Sequence, residues 1–253
     1  MTVRNPDWTD LADALIAARR TSEPVDGARF EAALRSEADC YAVQTRVAEA
    51  LGPVGAFKTA RKPDQPQIIA PIFARDVHRS PASFGPGALR RIGVELEVGF
   101  LVIAPLPDPG VHDFAARTRD RVAAVAVLEI VDTRLADLDG AGRLLRLADN
   151  QLNGALVIGE PRADWQDLDL ATVTAKLTLG DETVLDGPAF PPGGNAWETF
   201  LGFARMVATH CGGLREGQVV ITGSLNGLPF IDRPSSARGA IEALGTVEAV
   251  FPD

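Results

Sequence analysis

The chain has 253 residues, enough for one large domain or two small ones. Apolar residues make up 46% of it, which supports a sizeable core and excludes wholesale disorder. A net charge of −9 argues against non-specific binding to nucleic acid or to an anionic membrane.

In chain order, the first stretch has no apolar segment followed by a small-residue cleavage site. No later apolar run reaches membrane-spanning length, so the expected location is the cytoplasm. The two cysteines, Cys40 and Cys211, form neither a metal spacing nor a disulfide framework, which suits a reducing compartment. Asn5-Pro6 predicts a helix start, and Trp8, Leu11, Ala12, Leu15 and Ile16 follow at helical spacing. A short helical stretch is expected over 30–34, and a longer helix over 38–51, closed by Gly52-Pro53. Residues 1–53 are therefore expected as a helical N-terminal region, with 54–253 as the domain that follows it.

Residues 54–59 predict a strand that carries Lys58. Residues 63–91, rich in proline and glycine, read as a long site-forming loop with one apolar run, 68–73. A strand over 92–104 follows, then a helix over 113–124 and a buried strand over 123–131. Residues 144–149 are ambiguous between helix and strand. An apolar stretch spans 154–159. A hairpin is expected over 171–185, turning at Gly180-Asp181, and a helix over 196–210 anchored by Trp197, Phe200 and Phe203. Strands over 217–222 and 245–251 complete the pattern. A helical start followed by mainly β structure points to an α+β fold with a mixed sheet.

The strand holding Val94 to Phe100 draws attention first. Its alternation puts Glu95 and Glu97 on one face and Val94, Leu96, Val98 and Phe100 on the other. Two readings are open: a wet outer face of an ordinary half-buried strand, or two oxygen ligands for a hard divalent metal. Glu129 shifts the balance. It is the only charged residue between Val122 and Val131, and a carboxylate there costs several kcal/mol unless paired, protonated or bound to metal. Ion pairing to an arginine such as Arg134 is one solution, and a three-carboxylate site with Glu95 and Glu97 is the other. Oxygen-only ligation favours Mg²⁺, Mn²⁺ or Ca²⁺ over zinc.

Lys58 is one of only three lysines, with Lys62 and Lys176. At the end of an apolar strand it either moves a proton and orients an anion, or reaches out to water. Asp149-Asn150 and Asn153-Gly154 precede a strand and either offer amides to a ligand or simply make a turn. Thr222 and Ser224, around Gly223, offer hydroxyls and backbone N–H groups that could hold a carboxylate. His78, His112 and His210 are scattered and form no recognisable nucleophile or metal pattern.

These pieces together resemble the 2-keto-4-pentenoate hydratase (2-hydroxypenta-2,4-dienoate hydratase) branch of the fumarylacetoacetate hydrolase superfamily. The matching segments are 55–58, 94–98, 127–134, 148–150 and 214–225, in the family's order and at roughly its spacing. The resemblance implies a mixed β-roll with outer helices and a helical N-terminal region. It implies that Glu95, Glu97 and Glu129 hold Mg²⁺ or Mn²⁺, and that Lys58 is the active-site lysine. It also implies a homo-oligomer, often a pentamer or decamer, with a small 2-oxo acid or 2-hydroxy-dienoate as substrate and a pathway enzyme as a possible partner.

Three departures bear on the chemistry after the enolate forms. The lysine motif continues as Thr59-Ala60-Arg61-Lys62, so a cationic cluster that includes Arg61 borders the site. The family's loop acid follows phenylalanine and alanine directly; here the run is Phe73-Ala74-Arg75-Asp76, with Asp76 as the candidate catalytic acid. After Asp149-Asn150, where the family often has a serine, the chain reads Gln151-Leu152-Asn153. The expected activity is metal-dependent hydration of a 2-hydroxy-2,4-dienoate. The alternatives on the same scaffold are a decarboxylase of a 2-oxo-3-enedioate and a C–C hydrolase, with a non-catalytic metal-binding role ranked below them.

Overall fold

The structure is a computed structural model, and it describes residues 6–62, 65–231 and 235–252. Helix α1 (Trp8–Thr21) is capped by Asp7, whose side chain accepts the N–H groups of Thr9 and Asp10 while Asp10 reaches back to the cap. The carboxylate two residues on thus does what was expected at Asn5-Pro6; Pro6 precedes the helix and Asn5 lies outside the described residues. A 3-10 turn (Gly27–Ala33) and α2 (Glu37–Leu51) follow. The two helices bury Leu11, Leu15, Val43 and Val47 in a cluster that also takes in Phe73 and Leu135.

Two sheets make up the rest. The first holds β1 (Val54–Ala60), β2 (Ile68–Phe73), β3 (Val77–Arg79), β5 (Gly93–Val102), β6 (Val122–Val131), β7 (Asn153–Ile158) and β10 (Val219–Ser224), with a two-residue strand β4 (Ala82–Ser83) lying between β3 and β5 in sequence. Its order is β2-β1-β10-β5-β6-β7-β3, with β1–β10 and β7–β3 parallel and the other neighbours antiparallel. The second sheet has the order β4-β12-β11-β8-β9, adding β8 (Val173–Leu179), β9 (Glu182–Ala189), β11 (Ser236–Ile241) and β12 (Gly245–Val250). Short helices α3 (Phe114–Arg119) and α4 (Arg143–Ala148) and the longer α5 (Ala196–Met206) sit between strands in sequence.

One face of the first sheet packs on the second sheet and on α5. There Phe100, Trp165, Trp197 and Phe200 form one aromatic group with ring centroids 4.9–5.5 Å apart. The other face is buried as well. Ile72 of β2 and Leu156 of β7, five places apart in the strand order, share one small cluster with Ala56, Val125, Val127, Val219 and Ile221. The first sheet is therefore rolled, and this face is its interior.

Several sequence expectations change. The long loop over 63–91 contains three strands, β2, β3 and β4. The helix expected to reach 124 ends at Arg119, because the apolar run from Val122 continues a fully buried strand. Helix α5 stops at Met206, and β11, with its mixed Ser-Ala-Arg-Gly text, was not expected at all. The ambiguous segment near 144 is a helix. The wet-face reading of β5 fails: Glu97 is buried and Glu95 largely so, because both point into the roll.

Candidate active site

Strand register assembles the site. Glu95 on β5 stands opposite Glu129 on β6, and Glu97 is two residues further along the same face. Carboxylate oxygens of Glu95, Glu97 and Glu129 all lie within 4.8 Å of one another. On β1, Lys58 shares a face with Ala56, whose side chain joins the small interior cluster, so Lys58 enters the roll above that cluster. Its Nζ donates to both oxygens of Glu129 at 2.6 Å and to the Gln151 carbonyl at 3.0 Å.

Local irregularities supply the remaining contacts. Between β5 and β10 the register shifts after Ile221, so that Ser224 pairs with Glu97. Gly223 sits in this bulge at φ +111, a conformation that glycine adopts freely. Its N–H donates to Glu97 Oε2 at 2.6 Å. A second shift, between β6 and β7, brings Asn153 opposite Val131 and onto the Glu129 face, where its Nδ2 donates to Glu129 Oε1 at 2.8 Å. The shift needs glycine at 154, where a Cβ would lie 2.7 Å from the Asp132 Cβ. Asn150, Gln151 and Leu152 all have positive φ, between 50° and 63°. Such non-glycine conformations cost of order 1–3 kcal/mol each and cluster at functional sites. Here the turn presents the Gln151 carbonyl to Lys58.

The electrostatics are unbalanced. When all are ionised, three carboxylates face one ammonium, an excess of two negative charges in a buried setting. Burial, reinforced by the charge of Glu129, pushes the Glu95 carboxyl up to about 8. Burial and the charges of Glu129 and Glu95 raise Glu97 well above its ordinary value. Burial pulls the Lys58 ammonium down, but the charges of Glu129, Glu95 and Glu97 outweigh it and its pKa is raised. The group therefore fits a hard divalent cation: all-oxygen donors, and a charge deficit that a 2+ ion cancels.

The other candidates lie elsewhere or are already engaged. Asp76 sits 3.8 Å from Arg75, in a cavity of about 160 Å³ that also holds Arg19 and Arg134. Burial raises its carboxyl pKa against the pull of Arg19, Arg75, Arg134 and His78. Arg61 lines a separate cavity with Gln67 and the segment 191–194. The Asn150 amide donates to the Pro71 carbonyl at 3.1 Å and braces the turn. The Thr222 hydroxyl is buried and donates to the Val98 carbonyl at 2.7 Å. The Ser224 hydroxyl donates to the Gly227 carbonyl at 2.6 Å, and it also lies beside Glu95 and favours that carboxylate's charge. Asn153, expected with Gly154 either to offer an amide to a ligand or to make a turn, holds Glu129; the Gln151 carbonyl was not anticipated. The signal for Asn153 was a polar residue opening an apolar strand, but its partner depends on the bulge.

No protein-family profile matches the chain. It is 28% identical over 258 residues to 2-keto-4-pentenoate hydratase 1 of Dechloromonas aromatica (strain RCB), covering 96% of this chain and 97% of that protein. It is 27% identical over 190 residues to 2-keto-4-pentenoate hydratase of Burkholderia vietnamiensis (strain G4 / LMG 22486), covering 75% and 71%. Its fold matches 4-oxalocrotonate decarboxylase from Pseudomonas putida G7, solved with magnesium and adipate, at TM-score 0.82 and 18% identity over 99% of both chains. A fumarylpyruvate hydrolase from Pseudomonas aeruginosa, solved with Mn²⁺ and pyruvate, matches at TM-score 0.57 and 16% identity, over 78% of this chain and 88% of that one.

Proposed function

We propose, from the premise that this chain is a relative of the 2-keto-4-pentenoate hydratases with the fold of the fumarylacetoacetate hydrolase superfamily, that it is a divalent-metal-dependent hydro-lyase. It adds water to a 2-hydroxy-2,4-dienoate and yields a 4-hydroxy-2-oxo acid. The observation that carries this reading is the buried triad of Glu95, Glu97 and Glu129 with the Lys58 ammonium bonded to one member.

In this reading the three glutamates hold Mg²⁺ or Mn²⁺, and the Asn153 amide and the Gly223 N–H orient Glu129 and Glu97 for that task. Bound there, the ion would take the carboxylate and C2 oxygen of the substrate and stabilise negative charge on that oxygen. Lys58 is the proton-moving group. It delivers a proton to the far end of the dienol as the C2 hydroxyl gives up its own, leaving an α,β-unsaturated ketone. Water then adds at C4, and C3 takes up a proton. Glu129 keeps Lys58 charged for the first transfer, and the Gln151 carbonyl fixes the direction of its N–H groups.

The test is the ultraviolet absorbance of the dienol. Enzyme with Mg²⁺ is expected to discharge it, and Glu129→Ala to slow the loss by about a thousandfold, because several kcal/mol of charge stabilisation depend on the site and each 1.36 kcal/mol is tenfold. Unchanged absorbance across a panel of substituted dienoates would sink the hydratase reading. A decarboxylase of a 2-oxo-3-enedioate is the second reading, favoured by the full-length fold match to such an enzyme; release of CO₂ separates it. We also propose that the chain works as a homo-oligomer in the cytoplasm. The free Cys40 and Cys211 suit that compartment. No helix among the described residues is long and apolar enough to cross a membrane.

A further inference from the structure

A cavity of about 360 Å³ adjoins the Lys58 side of the roll, lined by Ala60, Lys62, Gln65, Arg143, Arg146 and Gln151 among others. That volume lies in the ordinary range of small-molecule sites, roughly 300–1,000 Å³. Two of its walls belong to the site already described. Ala60 follows Lys58 by two residues on the same face of β1, an advance of roughly 6.6 Å. Gln151 supplies the carbonyl that accepts from Lys58 Nζ.

Among the described residues the lining holds three cations and no carboxylate, in a chain whose net charge is −9. Arg143 is partly neutralised by Glu37, at 2.7 Å. Arg146 is braced only by backbone carbonyls, those of Ala141 at 2.8 Å and Leu138 at 2.9 Å among them; these orient its guanidinium without cancelling its charge. Among the described residues the Lys62 ammonium has no ion-pair partner. The smaller cavity around Arg19 differs, because Glu23, Asp76 and Asp132 stand among its arginines.

We infer that this cavity is a subsite for a carboxylate at the far end of the substrate, so that the substrate class is a 2-hydroxy-dienedioate. This rests on the hydratase reading above for the chemistry at the near end. With the first carboxylate and the C2 oxygen at the glutamate triad, the carbon chain runs past Lys58 along β1. Its terminal carboxylate then meets Lys62 and the oriented Arg146, two donors suited to an oxyanion.

The experiment compares two dienols of equal chain length on the Mg²⁺-loaded enzyme, one ending in a carboxylate and one in a methyl group. The expected result is a kcat/KM about tenfold or more higher for the carboxylate-ended substrate, carried by KM, and a loss of most of that preference in Lys62→Gln. Lys62→Arg is expected to retain it. Equal kcat/KM for the two dienols, or a preference that Lys62→Gln leaves intact, overturns the assignment. Calorimetry with adipate and hexanoate on the same Mg²⁺-loaded protein separates this inference from the reaction itself. A Lys62-dependent preference for adipate, without turnover of either dienol, keeps the subsite and rejects hydration. Absence of any preference for adipate overturns the subsite. Inorganic phosphate binding more tightly than adipate, with the same dependence on Lys62, marks a site for a free oxyanion and overturns it too.

Discussion

Two groups of buried charge lie within a few residues of each other along β6 and its continuation, and they are built to opposite rules. The Arg134 guanidinium is fully answered, although Arg19, 3.9 Å from Asp149, keeps one buried Nη without a hydrogen-bond partner. Asp149 accepts from Arg134 Nε at 2.6 Å, from the Arg134 N–H at 3.0 Å and from the Thr133 hydroxyl at 3.1 Å, while the rest of the guanidinium donates to the Asn153 and Asp149 carbonyls. Around Glu129 the protein supplies one ammonium, one amide and one backbone N–H for three carboxylates. Burying charge costs several kcal/mol per ion unless it is compensated. The Arg134–Asp149 pair meets that demand internally and reads as a brace. The second group, once ionised, leaves two negative charges for something outside the chain to answer. The difference teaches that burial alone does not mark a functional site; burial with a charge deficit does.

The contrast can be broken most sharply at Lys58. Lys58→Met is expected to lower turnover of the dienol by about a thousandfold, within the range for loss of a general acid–base group. Calorimetry should show Mg²⁺ binding retained or tightened, since a competing cation has gone. Weakened Mg²⁺ binding in that variant would mean that Lys58 supports the metal site and does not compete for it. Asp149→Asn acts on the brace. It should cost about 3 kcal/mol of stability in urea unfolding, the scale for leaving a buried charge unpartnered. Mg²⁺ affinity should stay within a few-fold, and a large loss would show that the two groups are not separable.

Asn153→Ala probes the link between them. Removing the amide from Glu129 should weaken Mg²⁺ binding by about tenfold, the lower end for a group that orients a ligand, with stability changed little. The smallest expected effect is on pH. The Glu95 carboxyl is held at about 8 in the fold, against 4.5 ordinarily. Between those values the folded state keeps a proton that the unfolded chain has lost, so stability falls as pH rises through that window. In EDTA, the thermal midpoint should drop by a few degrees from pH 5.5 to 8.5. Glu95→Gln should flatten that drop, and so should Mg²⁺. A midpoint that rises over the window would contradict the buried, metal-free carboxylate cluster.

Much of this was legible in the residues. Period two alone set Glu95 and Glu97 on one face, and the solitary charge at Glu129 stood out because its neighbours are all apolar. The existence of β1, β5, β6 and α5 followed from runs whose pattern and burial agree. The three short strands in 63–91 were hidden because proline and glycine read as loop, whereas partners distant in sequence pair them: β2 with β1, β3 with β7, β4 with β12. Asp76 shows the limit of local text. Its motif resembles a loop acid, yet the turn after β2 delivers it to Arg19 and Arg75.

By itself, then, the sequence determined which side chains needed an explanation: carboxylates in apolar strands, and a rare lysine upstream of them. Their chemistry is intrinsic and travels with the residue. Only the tertiary structure decided that the charged face of β5 turns into the roll, because a strand's alternation says which residues share a face but not what covers it; rolling the sheet did that. Only the strand bulges decided that Asn153 and the Gly223 N–H meet Glu129 and Glu97, because one inserted residue changes which groups oppose each other across a ladder. And only packing brought Lys62, Arg143 and Arg146 to one cavity, since residues some eighty positions apart carry no local sign of being neighbours.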